Sequence, residues 1–493
     1  MLLHPTSLAG PEPMGTLGAE AAAWVDWLAT TGAEVWQILP LTVPGGDGSP
    51  YFSPSAFAGN TWLIDLRDLA AVGLLDEGDL HPPARRRKQS LLACAADRFL
   101  ADRDQRWRAE YDKFVATAGE AWLADACHFF ALKDRDPETA WWEWDDGLRT
   151  RKPRAVARSR LELAADIERH QVLQFFFEQQ WQRLRSRADR AGILVVGDVP
   201  IYVSPDSADV WTNQDQFELD RHGRQLTQAG VPPDYFSVTG QLWKNPLYRW
   251  DVMADDGYSW WINRLRRTLE HVDVVRIDHF RGLSAYWSVP AADTTAVNGT
   301  WVPGPGQPFV DVLRRAFPDL PIVAEDLGEL DEDVRSLRDD NDLVGMRVIQ
   351  FGFSPAEDPD KPNIHHPRNV DRRAVVYTGT HDNDTLAGWW RSLPRRLRTR
   401  IRADTAMPPR VRTRRAVWWL IGITLKTKAV AAIIPMQDFL ALDSDARMNT
   451  PSTTEGNWQW RMPPDCLTAS LAADIHTLAA EARRTRRRTE AGP

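Results

Sequence analysis

Three short polar runs in this chain hold residue types suited to acid–base and nucleophilic chemistry. They are Arg276-Ile277-Asp278-His279-Phe280-Arg281-Gly282, Ala324-Glu325-Asp326-Leu327-Gly328 and Tyr377-Thr378-Gly379-Thr380-His381-Asp382-Asn383-Asp384. Each continues directly from a short apolar run. Arg276 and Asp278 are two apart, so on a strand both side chains point to the same side. If the runs end neighbouring parallel strands, Asp278, Glu325 and Asp382 face a common pocket, with Arg276 and His381 beside them. Glycoside chemistry asks for such a set. One carboxylate stays ionised as nucleophile, a second carboxyl is held protonated as proton donor, and a third supports the positive charge that develops on the sugar ring. A neighbouring Arg stabilises an ionised nucleophile. Taken alone, each motif is equally open to a salt bridge or an Asx-turn at a strand end. Three together on one rim argue for chemistry. His381, Asp382 and Asp384 with His279 offer ligand types for a metal, but no metal-motif spacing supports that reading.

The elements that must position these groups are eight short apolar runs bounded by Gly, Pro or Asp. They lie at 2–4 (LLH), 35–39 (VWQIL), 193–196 (ILVV), 272–277 (VDVVRI), 322–324 (IVA), 346–351 (MRVIQF), 374–377 (AVVY) and 430–434 (VAAII). Helical periodicity fills most of the gaps. Residues 18–30 place Trp24, Trp27 and Leu28 on one face, and Gly32 is the stop signal. Apolar strands alternating with helices predict an α/β protein whose parallel sheet is covered on both faces. Eight of them predict a closed (β/α)8 TIM barrel with inserted, mainly helical subdomains at its C-terminal rim. We expect one catalytic barrel over residues 1–493, an insertion at 42–192 and a loop-rich insertion at 204–258. The basic end of the chain, 481–493 with RRTRRR, is expected to fray.

Composition excludes several function classes. The 493 residues carry a net charge of −8, the wrong sign for a general nucleic-acid binder. Hydrophobic content of 43% with 26% charged residues is globular rather than disordered. Cys94, Cys127 and Cys466 are far apart and odd in number, which fits a reducing cytosol and no disulfide framework. The opening MLLHPTSLAG lacks a basic start and a cleavage site, and no apolar run reaches the roughly 20 residues of a membrane span. A cytoplasmic protein without a membrane partner is expected. The chain begins almost inside its first apolar run, which suggests a few upstream residues. Trp is in excess, at 23 against 17 Phe and 8 Tyr, so either the core or a surface that stacks on flat ligands is aromatic-rich. Trp141, Trp142 and Trp144 fit neither pattern.

Longer motifs then add a resemblance. LLHPTSL, WQILPL, SPYFSPSAFAGN, GDVPIYVSPDSADVW, AGVPPDYFS, TGQLW, RIDHFRG, IVAEDLG, YTGTHDNDT and PMQDFLALDSDARMNTPSTTEGNWQWR cover nearly the whole chain. In these the sequence resembles the 4-α-glucanotransferases, or amylomaltases, of the α-amylase-like clan. The resemblance implies Asp278 as nucleophile, Glu325 as general acid/base and Asp382 as transition-state stabiliser. It implies that Arg276, counted with the substrate-binding set, orients Asp278, and that His381 contacts the sugar in the cleaved subsite. Asp234, Gln241, Trp243, Asp326 and Asn449 match positions near the donor or acceptor glucose units, and Tyr51 matches an aromatic that stacks on the glucan. His279 joins the binding set from its place beside Asp278. Trp243, Tyr51 and Trp458 are candidate platforms that hold an acceptor sugar and exclude water. The partners implied are α-1,4-glucans and maltooligosaccharides, with no cofactor and no metal. Lys244 stands where the family usually has glycine, and Ala9 and Glu12-Pro13-Met14 replace a more regular Pro/Gly-rich loop. An amylase-like hydrolase and a catalytically silent glucan-binding protein are the competing readings.

Overall fold

The structure is a computed structural model that describes residues 1–80, 85–102, 106–233, 237–328, 331–354, 362–453 and 455–484. Its centre is a ring of short parallel strands. β1 (Val35–Gln37), β2 (Leu194–Pro200), β5 (Val274–Asp278) and β8 (Ile322–Ala324) form one sheet in that order. β9 (Gly345–Val348), β10 (Ala374–Tyr377) and β11 (Ala431–Ile433) form a second, with β10 between the other two. The two sheets meet at two seams, each held by single parallel bridges rather than a ladder. Val323 bridges Val344 at one seam, and at the other Leu2 bridges both Gln37 and Pro435. The order round the ring is that of an α/β barrel. β8, β9 and β10 are buried along their whole length, which is why these runs read as continuously apolar.

Several of the eight expected strands are shorter than their apolar runs, and two are shortened for a clear local reason. The run at 2–4 reduces to one bridging residue, Leu2, because a 3-10 turn begins at Pro5, whose ring nitrogen cannot donate to a ladder. The run at 346–351 leaves the sheet at Val348 and closes into a helical turn, Ile349–Gly352. The helix expected at 18–30 spans Ala19–Thr30 and buries Trp24, Trp27 and Leu28.

Residues 42–192 carry several helices, among them Ala124–Arg135, Pro153–Glu162 and the long Ala164–Arg190. The last buries Phe175, Phe176, Phe177 and Trp181, and Trp181 packs on Trp36 of β1 with ring centres 6.1 Å apart. Trp141 is fully buried and donates its indole N–H to the Pro205 carbonyl at 2.8 Å, while Trp144 packs edge-on to Trp211. This aromatic cluster therefore fastens the helical segment to the stretch after β2.

A third sheet went unread in the sequence. β3 (Thr227–Val231) and β4 (Gln241–Leu242) lie within 204–258, and β6 (Ala285–Pro290) and β7 (Thr300–Pro303) lie between β5 and β8. They pair antiparallel in the order β4-β3-β6-β7. Ser204 and residues beyond it in the insertion were expected as loop, and the Gly, Pro and Asp content of that stretch hid the strands. Among the described residues no helix is long and apolar enough to cross a membrane.

Candidate active site

β2 and β5 set the geometry of the site. Their register pairs Asp198 with Arg276 and Pro200 with Asp278. Arg276 is 3% exposed, and its Nη1 donates to both oxygens of Asp198 at 2.8 and 2.7 Å. Its Nη2 donates to Asp278 Oδ1 at 2.7 Å, the same-side contact that the two-residue spacing predicts. One buried guanidinium thus holds two carboxylates, and the Asp278 side chain is 31% exposed, open to the cleft. Four of the five N–H donors of Arg276 are spent on these groups and on Met346. The contact with Asp278 is the one expected of a residue that orients it.

Glu325 leaves the end of β8 beside that strand. Its own N–H donates to the Ile277 carbonyl at 3.0 Å. The His279 backbone N–H donates to Glu325 Oε2 at 2.7 Å and the Leu327 N–H to Oε1 at 2.8 Å. His279 takes a left-handed conformation, φ 53°, where the chain turns sharply after Asp278. Burial pushes the Glu325 carboxyl up to about 7, helped by the charge of Asp278 and opposed by Arg276 and the two backbone donors. Burial likewise lowers the His279 imidazole to about 4, so its ring is neutral.

Asp382 follows β10 in a turn tied by Asn383, whose side-chain oxygen accepts from the Thr380 N–H at 2.7 Å. Asn449 Nδ2 donates to Asp382 Oδ1 at 2.6 Å, and His381 Nε2 lies 3.3 Å from the same oxygen. The Asn449 N–H also donates to the His381 carbonyl at 3.1 Å. Arg447 clamps the turn from below through the Asp382 and Asn449 carbonyls.

Aromatic rings line the approach. Tyr51 stacks on His381 with ring centres 5.1 Å apart and planes within 15°, and Trp458 lies 5.6 Å from Tyr51. The Tyr51 hydroxyl donates to Asp198 Oδ2 at 2.7 Å, so this ring is anchored to the same carboxylate as Arg276. Across the site, Trp243 meets His279 edge-on at 4.7 Å and donates its indole N–H to Gln241 Oε1 at 3.2 Å.

Asp326 does not join these groups. Its side chain is fully buried, Oδ1 accepts from the Met346 N–H at 2.6 Å, and Oδ2 accepts from Arg338 and, at 3.0 Å, from Arg347. The expected contact with a glucose unit is therefore corrected. Consecutive residues at a strand end alternate sides, and Glu325 takes the cleft. Asp234 lies outside the described residues. Asp198 is the site residue that sequence reasoning missed. The signal was present, since Asp198 follows the apolar run 193–196 as Asp278 follows its own.

With this geometry in place, comparison with known proteins is informative. The family model of glycoside hydrolase family 77, described as 4-alpha-glucanotransferase, matches residues 3–468. The chain is 43% identical to the chloroplastic/amyloplastic 4-alpha-glucanotransferase of Oryza sativa subsp. japonica, over 97% of this chain and 82% of that one. It is 42% identical to the 4-alpha-glucanotransferase of Thermus thermophilus, over 97% of each chain. In structure it is similar to the amylomaltase of Streptococcus agalactiae solved with acarbose, at TM-score 0.93 and 36% identity, covering 98% of this chain and 99% of that one.

Proposed function

The chain belongs to the 4-alpha-glucanotransferase family, and from that membership we propose the role of each residue in its site. The family reaction moves an α-1,4-glucan segment from a donor to the 4-hydroxyl of an acceptor, with retention. In our reading, the Asp278 carboxylate attacks the anomeric carbon while Glu325 gives its proton to the departing glycosidic oxygen. A glycosyl ester remains on Asp278. Glu325, now ionised, takes the proton of the acceptor 4-hydroxyl, which attacks the ester and frees Asp278. Asp382, held by Asn449 and His381, stabilises the positive charge on the ring in both steps. Tyr51, Trp458, Trp243 and Gln241 hold the sugars and keep water from competing.

The observation that carries this reading is the contrast between two carboxyls on adjacent strands. Asp278 is bound by a guanidinium, whereas Glu325 is half-buried and pushed up to about 7 by that burial. Such a pair separates base from acid. We also read 42–192 and 204–258 as insertions of one catalytic barrel, and the three free cysteines as marks of a cytoplasmic enzyme. A net charge of −8 gives nucleic acid no footprint. The test is purified protein with maltotriose alone. Glucose together with longer maltooligosaccharides, at constant reducing ends, is expected. Shorter sugars only, with rising reducing ends, would make it a hydrolase.

A further inference from the structure

Trp458 lines the approach to the site on a strained stretch of backbone. Its φ is 63°, in the left-handed region that a bulky residue keeps only where its surroundings impose it. The contacts that impose it lie on both sides in sequence. The Trp458 N–H donates to the Met448 carbonyl at 2.7 Å, and the Met462 N–H donates to the Ser7 carbonyl at 2.7 Å. Between these two anchors, Arg461 reaches across to residues 8–12. Its Nη1 donates to the Glu12 carbonyl at 2.6 Å, and its Nη2 to the Leu8 and Gly10 carbonyls at 2.8 and 3.2 Å. Its Nε donates to the Leu8 carbonyl at 3.3 Å. A planar guanidinium with five donors can span three carbonyls in this way, and a single ammonium cannot.

The loop that Arg461 grips is the one whose sequence departs from a more regular Pro/Gly-rich form, and Glu12 braces it. The Glu12 side chain is 6% exposed and pairs with Lys88, whose side chain is 1% exposed. Glu12 Oε1 also accepts from the Leu66 N–H at 3.2 Å. Lys88 belongs to the helix Arg85–Ala101 and donates to the Trp62 carbonyl at 2.7 Å as well. Breaking such a buried pair strands a charge, so the loop is firmly tied to the helical segment. With the loop fixed and four hydrogen bonds running from it to Arg461, the Trp458 ring is held 5.6 Å from Tyr51 and 5.8 Å from His381.

We propose that Arg461 is a positioning residue that holds Trp458 in place and so sets how the glycosyl ester on Asp278 divides between an acceptor sugar and water. Either the acceptor 4-hydroxyl or water supplies the oxygen that bonds to the anomeric carbon. Either gives its proton to Glu325 and frees the Asp278 carboxylate. A ring that seats the sugar and excludes water favours the first. The inference rests on the sugar-holding role of Trp458 proposed above. The test is the ratio of transfer to hydrolysis on maltotriose, read as longer chains against new reducing ends. Unsubstituted protein is compared with Trp458→Ala, Arg461→Met, Arg461→Lys and the Trp458→Ala, Arg461→Met double variant. The ratio counts active molecules only, so a loss of folded protein does not imitate the effect. Arg461→Met is expected to lower it about tenfold, and Arg461→Lys, which keeps the charge but not the fork, lowers it as well. The double variant is expected to match Trp458→Ala alone, because Arg461 acts through that ring. An unchanged ratio in both Arg461 variants, or losses that multiply in the double variant, overturns the proposal. An unchanged ratio in Trp458→Ala overturns instead the sugar-holding role of Trp458, and absence of transfer in unsubstituted protein overturns the catalytic reading.

Discussion

Asp198 and Arg276 are direct partners across β2 and β5, and both carboxylate oxygens of Asp198 take a hydrogen bond from one guanidinium nitrogen. The other nitrogen holds Asp278, so the aim of the Asp278 carboxylate depends on the Asp198–Arg276 pair. Removing one partner of a buried ion pair leaves the other charge unpaired. Asp198→Ala is expected to cost about 3 kcal/mol of stability in urea denaturation. Freed from Asp198, Arg276 no longer fixes Asp278. We expect kcat on maltotriose to fall at least about tenfold with KM little changed. A rise in KM at unchanged kcat would instead make Asp198 a binding residue.

Asn449 donates to Asp382 Oδ1 at 2.6 Å, and this hydrogen bond to a carboxylate is worth about 1.5–3 kcal/mol. If Asp382 acts on the charge that develops at the transition state, Asn449→Ala should lower kcat and kcat/KM together, by about ten- to a hundredfold. Steady-state kinetics with maltotriose as sole substrate checks this. Loss confined to KM would contradict the assignment.

The proton on Glu325 sets the alkaline side of the activity profile. Its carboxyl is pushed up to about 7 by burial, so the acid form that begins the reaction disappears as pH rises through that value. The rate of glycosyl-enzyme formation should fall about tenfold per pH unit above it. Stability follows the same group. A folded-state value above the unfolded one leaves stability whole below about pH 4.5, and lowers it as the carboxyl ionises through about 7. Between those limits the unsubstituted protein should lose up to about 3 kcal/mol more than Glu325→Gln, measured by denaturation at each pH. Equal pH dependence of the two would show that Glu325 is not held protonated.

Much of this site was legible from residue spacing. Strand alternation placed Arg276 and Asp278 on one side, and strand-end polarity singled out Glu325 and Asp382. Asp326 was misread because adjacency in sequence to Glu325 hid the alternation that sends it toward Arg338 and Arg347 instead. Asp198 was passed over because its partner lies 78 positions away, a pairing that only the register of β2 on β5 brings about. The antiparallel sheet was missed for a different reason. β3 and β4 are five and two residues long, and Gly230 and Gly240 break any alternation that would reveal them.

Lys244 follows Trp243 in a left-handed conformation, φ 61°, which explains structurally why glycine suits this position. A non-glycine residue there costs about 1 kcal/mol, partly offset because glycine has more freedom to lose on folding. Lys244→Gly should therefore raise stability slightly, by about 0.5 kcal/mol. It also removes an exposed cationic side chain next to the acceptor-side Trp, so the product ladder from maltotriose should shift toward longer chains. An unchanged ladder would separate Lys244 from chain-length control.

The central claim is that Asp278 carries the glycosyl group between donor and acceptor. Its most direct measurement is mass spectrometry of the Glu325→Gln protein mixed with α-maltotriosyl fluoride. Fluoride leaves without acid help, and with no base to activate an acceptor the ester persists. The account predicts one maltotriosyl adduct per chain, on the peptide that contains Asp278, and none in the Asp278→Asn, Glu325→Gln double variant. An unmodified chain during turnover of the fluoride, or an adduct on another residue, would contradict it.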